Sequence, residues 1–227
     1  TIRCWGNNYY GQLGSGVTGD SRVPVQVVGI ADAVEVYVGP NHSCALRGVT
    51  GARFVTCWGN CDRGECGTGA FATVVDPPGA DVVGLPADLV GLAHGTTDGT
   101  CVRTSGGSVY CWGTNAGSYA LGLGASSPNA VPTATLVPGL TNVVEVALGR
   151  QGGCARRGAG GGTFQVWCWG NSGGGIGWID GVTTSHVYTP IRAGTAALPI
   201  TDAVAISVSD SRWCAARAAG GVVCMGD

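Results

Sequence analysis

Eleven cysteines in 227 residues are the densest source of chemistry in this sequence. Thiols at this density can hold a metal, act as nucleophiles or pair as disulfides. Five of them open a recurring string of Cys, a bulky residue and Gly: Cys4-Trp5-Gly6, Cys57-Trp58-Gly59, Cys111-Trp112-Gly113, Cys168-Trp169-Gly170 and Cys224-Met225-Gly226. Four others stand 10 to 14 residues before a member of that series. This separation suits two adjacent antiparallel strands with sulfurs facing each other, a placement that satisfies the Cα separation of a disulfide. The spacing predicts bridges Cys44 to Cys57, Cys101 to Cys111, Cys154 to Cys168 and Cys214 to Cys224.

Cys61 and Cys66, five residues apart, are expected to close a loop as a fifth bridge. Zinc at Cys57-x3-Cys61-x4-Cys66 is disfavoured, because Cys57 has a partner and no neighbouring His or Cys completes four ligands. Cys4 remains unpaired, its partner expected in a strand just upstream of Thr1. The rival pairing of Cys4 with Cys214 would set residues 2–5 and 222–225, the same strand of the unit, in competition for one place.

The other reactive side chains form no constellation. His42, His94 and His186 lie in different units and read as turn or surface residues. Asp62 and Glu65 are the nearest carboxylates and fall short of the six or more oxygens that Ca²⁺ takes. Gly14-x-Gly16-x-x-Gly19 opens no helix, so it lacks the N-terminal amides that hold a phosphate. No nucleophile elbow or Walker string occurs. No catalytic residue, cofactor or metal is expected, and the chain is read as non-enzymatic.

Composition narrows the partners. Charged residues are 11% against about 25% in an average soluble domain, and mean hydropathy is positive. All twelve basic residues are Arg, only Arg156 and Arg157 adjoin, and net charge is −2, so no basic stripe is offered to nucleic acid. No apolar run approaches the roughly 18 to 20 residues of a membrane helix. Bridged cysteines persist outside the reducing cytosol, so a secreted, periplasmic or cell-surface location is expected.

The positions of these cysteines require short strands. Runs of four to six residues at 34–38, 42–47, 54–58 and 72–75 are rich in Val and aromatics and bounded by turn formers. The pattern returns at 89–93, 100–103, 108–112 and 132–137, then at 143–148, 153–156, 164–169 and 187–191. It ends with 203–208, 213–216 and 222–225, and it is preceded by 2–5 and 24–28. No helical periodicity is sustained. Cysteines of the Trp string recur every 53 to 57 residues, and four short strands at such a period describe propeller blades. The units are 31–85, 86–140 and 141–198, with partial units at 1–30 and 199–227, and they suggest an arc of a larger propeller. Each Trp of the string is expected to pack blade against blade.

The string Cys4 to Gly16, then Pro24-Val25-Gln26-Val27, Val34 to Gly39 and His42-Ser43-Cys44-Ala45-Leu46, resembles the repeat of the regulator of chromosome condensation family. The resemblance covers the whole chain and implies a seven-bladed β-propeller of a bacterial secreted type. It departs where Gly-Gln-Leu-Gly becomes Gly64-Glu65-Cys66-Gly67, Tyr119-Ala120-Leu121-Gly122 and Gly174-Gly175-Ile176-Gly177. His42 is replaced at the equivalent position by Gly99, Gly152 and Arg212.

These readings describe a protein-binding or structural module in an extracellular or surface assembly, with loops on a rigid scaffold as the contact surface. Tyr9, Tyr10, Tyr119, Trp178 and Asp180 are the candidate contacts. The alternative is an inhibitor of a secreted enzyme, similar to a propeller that inhibits β-lactamase. Guanine nucleotide exchange, the activity of the family's namesake, is disfavoured by the cysteines and the charge.

Overall fold

Short Val-rich runs that end at glycine turns cannot bury both faces alone, so they pair into small sheets and the sheets stack. A computed structural model describes this arrangement for all residues except 96, 116–118, 172–185, 195–199, 211 and 227. The first sheet pairs β1 (Arg3–Gly6) with β2 (Ser21–Gln26). The second runs β3 (Ala33–Val38), β4 (His42–Val49), β5 (Ala52–Cys61) and β6 (Ala72–Val75), antiparallel throughout. The third holds β7 (Leu89–Leu92), β9 (Gly99–Thr104), β10 (Val109–Thr114) and β11 (Ala130–Leu136); the two-residue β8 (His94–Gly95), between β7 and β9 in the chain, joins the edge of the fourth sheet. The fourth holds β12 (Val143–Gly149), β13 (Gly152–Gly160), β14 (Thr163–Asn171) and β15 (His186–Arg192). The fifth holds β16 (Ala203–Val208), β17 (Arg212–Arg217) and β18 (Val222–Gly226). Among the described residues there is no helix.

Two details differ from the strand reading. β2 starts at Ser21 and β11 at Ala130, three and two residues before the apolar runs, because their partners β1 and β10 carry a bulge after the cysteine. The bulge rests on the Gly of the string, whose φ of 99° to 116° at Gly6, Gly59, Gly113 and Gly170 lies where side chains are disfavoured. Pairing therefore continues past the Trp. β8 was not legible at all; it pairs in parallel with β12, His94 opposite Ala147 and Gly95 opposite Leu148. The segment that follows the first strand of the third blade and the first strand of the fourth come close enough there to pair.

The core lies between blades. Ile2, Val27, Ala45 and Trp58 fill the space between the first two sheets. Leu46, Val55, Leu89, Leu92 and Trp112 fill the next. Val109, Val146, Leu148, Val166, Trp169 and Ile206 belong to the cluster that joins the last three. Trp58, Trp112 and Trp169 are wholly buried, and each crosses a blade boundary. Their indole N–H groups donate to the carbonyls of Gln12, Glu65 and Ala120 in the preceding blade at 2.9, 3.0 and 2.7 Å. The last Gly of each loop string gives the ring its seat: a Cβ on Gly14, Gly67 or Gly122 would stand 2.7 to 3.0 Å from the indole of Trp58, Trp112 or Trp169.

His42 corrects the expectation of a surface or turn residue. It is fully buried, and its Nε2 lies 2.8 Å from Thr100 Oγ1 across the boundary between the second and third blades. Burial lowers its pKa to about 4, so the ring is neutral at physiological pH.

Gly67→Ala should lose about 2 to 4 kcal/mol in urea unfolding, from crowding of Val82 and Trp112 combined with a left-handed backbone. Gly139→Ala shares the left-handed φ but meets open space, and should lose only about 1 kcal/mol. The His42 pKa lies below its unfolded value, so the unfolded chain binds the extra proton and stability is fully present above about pH 6.5. It then declines toward pH 4, by about 2 to 3 kcal/mol between pH 7.5 and 4.5, and His42→Gln should remove that part of the slope.

Candidate protein-binding face

The order of strands decides which loops share an end. In a blade of four antiparallel strands the turn from first to second and the loop from third to fourth leave from the same side. The turns at 39–41, 97–98, 150–151 and 209–210 therefore share one end with the loops that carry Tyr9, Tyr10 and Tyr119. Backbone bonds tie them, with Asn60 N–H on the Asn41 carbonyl at 2.8 Å and Thr114 N–H on the Asp98 carbonyl at 3.1 Å.

The turns meet around a cavity of about 510 Å³ lined by Pro40, Asn41, Thr97, Asp98, Arg150, Ser209 and Asp210. Four blades each contribute to it, and they contribute different charges. Burial pushes the Asp98 carboxyl up; Arg150 and Arg63 pull it down, and Asp62 pushes it up again. Burial pushes the Glu65 carboxyl up; its own and the Arg63 backbone N–H and the Thr114 hydroxyl pull it part of the way back, and Asp62 pushes it up again. Asp98, Arg150 and Asp210 thus set charges of both signs around this opening.

Two successive turns shape each long loop, closed at Gly11, Gly14, Gly64 and Gly67. In the first loop the Asn8 amide oxygen accepts the Leu13 N–H at 2.9 Å, and in the third the Asn115 amide oxygen accepts the Leu121 N–H at 3.1 Å. The second loop bridges the same two places by the Cys61–Cys66 disulfide. Tyr9 is 79% exposed and meets Tyr10 edge to face at 4.8 Å. Tyr119 takes the place of the glycine, with φ 52°, and its ring contacts that of His186 at 5.2 Å. Trp178 and Asp180 lie outside the described residues.

The cysteines pair Cys44 with Cys57, Cys101 with Cys111, Cys154 with Cys168 and Cys214 with Cys224, each directly opposite its partner across two neighbouring strands. Cys4 is the one free cysteine; it is half-buried, and burial pushes its thiol up. Among the described residues, no three His, Cys, Asp or Glu side chains gather as a metal site. The axial charges Asp98, Arg150 and Asp210 escaped the sequence reading. Each follows the first strand of its unit, and alignment of units at that turn would have found them.

Blades of repeated four-stranded antiparallel sheets, stacked through a buried Trp, define a β-propeller. Its repeats are similar to the regulator of chromosome condensation (RCC1) repeat, whose family model matches residues 4–46 and 106–155. The human and mouse E3 ubiquitin-protein ligases HERC2 are each 32% identical over 143 residues, 62% of this chain and 3% of theirs. Human WBSCR16 superposes with a TM-score of 0.78 at 20% identity, over 99% of this chain and 56% of its own. Yeast RCC1 (Prp20), solved bound to Kap60, superposes at 0.73 with 18% identity, over 99% and 49%. A further structure of Prp20p from Saccharomyces cerevisiae, described with its binding to Gsp1p and histones, superposes at 0.70 with 19% identity, over 99% and 51%. The chain thus spans about half the length of the latter two and a small part of HERC2.

Alkylation of the denatured, unreduced protein should add a single group, mapped to Cys4, and alkylation after reduction should add eleven. Under native conditions at pH 7.5 Cys4 should react more slowly than a small free thiol, because burial disfavours its thiolate.

Proposed function

We infer that this chain is a non-catalytic, disulfide-braced propeller segment that binds protein partners through the end bearing the axial turns and long loops. The observation that carries this reading is the axial cavity, where turns from four blades set Asp98, Arg150 and Asp210 around one opening beside the exposed Tyr9. A rigid scaffold that presents adaptable loops, an aromatic anchor and complementary charges is a common form of protein interface. The yeast relatives were studied with protein partners, Kap60 for one and Gsp1p and histones for the other, which favours the same class of role for this fold.

The location that fits is outside the reducing cytosol, on a cell surface or in a secreted or periplasmic assembly. Five bridges in 227 residues support this. Each closes a loop of 5 to 14 residues, and in the chain-entropy model a loop near the upper end contributes about 3 kcal/mol.

A photo-crosslinking residue distinguishes the two ends. Tyr9→benzoylphenylalanine should give adducts with proteins of the source cell's exterior, and Arg150→Glu in the same chain should reduce them at least tenfold. Val49→benzoylphenylalanine, exposed at the opposite end, should give none. Adducts from position 49 alone, or adducts from position 9 indifferent to Arg150, would overturn the assignment.

A further inference from the structure

One polar joint between first strands is filled at two blade boundaries and left unfilled at the boundary between them. Glu35, Gly91, Glu145 and Ala205 occupy equivalent places in the second to fifth blades, each directly after the register shift of its first strand and opposite Leu46, Arg103, Arg156 and Ala216. The amide of the following residue points away from the second strand, because ladder bonds alternate along an antiparallel pair. The N–H of Leu92 donates to the Glu35 carboxylate of the preceding blade at 2.9 Å, and that of Ile206 to the Glu145 carboxylate at 3.3 Å. A glutamate on one blade thus satisfies a backbone donor on the next. Val146 holds the same position in the fourth blade, and the residue placed to serve it is Gly91. Glycine has no carboxylate to offer.

A cavity of about 170 Å³ stands at this place, lined by Glu35, Gly91, Arg103, Glu145 and Val146 with neighbouring first-strand residues. A Cβ on Gly91 would meet Glu35 Oε2 at 3.5 Å and Arg103 Nη2 at 3.8 Å, both ordinary contacts. Among the described residues Arg103 donates no hydrogen bond, and its surroundings act on it through burial and charge. Burial pushes its pKa down, Glu35 draws it up, Arg156 pushes it down and Glu145 draws it up again. Its strand partner is the same Gly91, whereas Arg156 in the fourth blade holds Glu145 at 2.8 Å. Among the described residues, the cavity therefore presents two donors that no side chain serves, a half-buried guanidinium and the Val146 N–H. Donors in such a place favour an acceptor strongly.

We propose that this cavity binds a small aliphatic monocarboxylate, which takes the place of the glutamate side chain that Gly91 lacks. The absent group is two methylenes and a carboxylate, so propionate is the matching ligand. Its carboxylate accepts from Arg103 and from the Val146 N–H, and its methylenes lie over Gly91. Hydrogen bonds from a guanidinium to a carboxylate are charge-assisted and are the stronger kind. Glu35 and Glu145 on the wall limit the charge that the site accepts. Arg156 neutralises Glu145 and the Leu92 N–H bonds to Glu35, so one negative charge is tolerated, whereas a dianion such as sulfate meets net repulsion. The site lies on the first strands and shares no residue with the cavity at the axial turns.

Propionate titrated into the isotope-labelled protein should move the amide resonance of Val146 and the Nε resonance of Arg103 to saturation, with chloride at equal ionic strength as the control. Sulfate and methylammonium should leave both resonances in place. Gly91→Glu supplies the carboxylate within the chain, so it should set the Val146 resonance near its propionate-bound position and abolish the response to propionate. Arg103→Gln, a change at a half-exposed position, should weaken propionate binding about tenfold, as expected for one hydrogen bond to a charged group. Propionate should also raise the Tm of the parent chain and leave that of Gly91→Glu unchanged, since a ligand stabilises only the state that binds it. Shifts that fail to saturate, that chloride reproduces, or that persist undiminished in both variants would overturn the proposal. A blocked glutamate amide that binds about tenfold more tightly than propionate would also overturn it, because the carboxylate would then belong to a partner's side chain.

Discussion

The seating of each tryptophan on the blade before it is the contact on which the remaining structure depends. A four-stranded sheet of this size cannot hide its own faces, so every blade borrows a surface from its neighbour. The indole of Trp58, Trp112 or Trp169 supplies the large apolar area, and its N–H fixes the angle by reaching one carbonyl of the preceding loop. That reach requires a glycine beneath the ring, and Gly14, Gly67 and Gly122 answer it. Loop and strand are therefore two halves of one joint, although they belong to different repeats. Met225, in the Trp position of the fifth blade, is half-buried, as befits a smaller and more adaptable side chain.

The disulfides act at right angles to this joint. Each cross-strand bridge ties the second strand of a blade to the third, and so stiffens the sheet that carries the indole. The Cys61–Cys66 bridge does something else: it replaces the amide-to-backbone hydrogen bond that Asn8 and Asn115 make in the other loops. One loop shape is thus held by two kinds of chemistry. Polar contacts across boundaries complete the stack, with His42 meeting Thr100 and the Tyr37 hydroxyl donating to the Thr97 carbonyl at 2.8 Å. These contacts hold the axial turns in register, and the turns set the charges around the cavity.

The contrast between repeated and unrepeated positions separates scaffold from surface. Positions that recur are joints, while the equivalent turns carry Asn41, Asp98, Arg150 and Asp210 and so vary in charge. A turn that only closes a strand pair needs no particular charge, and variation around a common opening accords with the binding role proposed for this end.

Periodicity made the all-β repeat legible, because short apolar runs bounded by glycine leave the chain few alternatives. Cysteine spacing was equally readable, since sulfurs across a hairpin turn are fixed by local strand geometry. What lay between repeats was not readable. The parallel β8–β12 pair, the buried His42 and the axial charges all depend on residues about 50 positions or more apart, and those distances close only when the blades stack. The start of β2 was missed for a more local reason, a bulge that lets polar residues keep pairing after the apolar run has ended. The sequence by itself determined the blades, their braces and the odd cysteine. Only tertiary structure decided which faces meet and which stay open, because burial between blades is a property of the pair and no single repeat contains it.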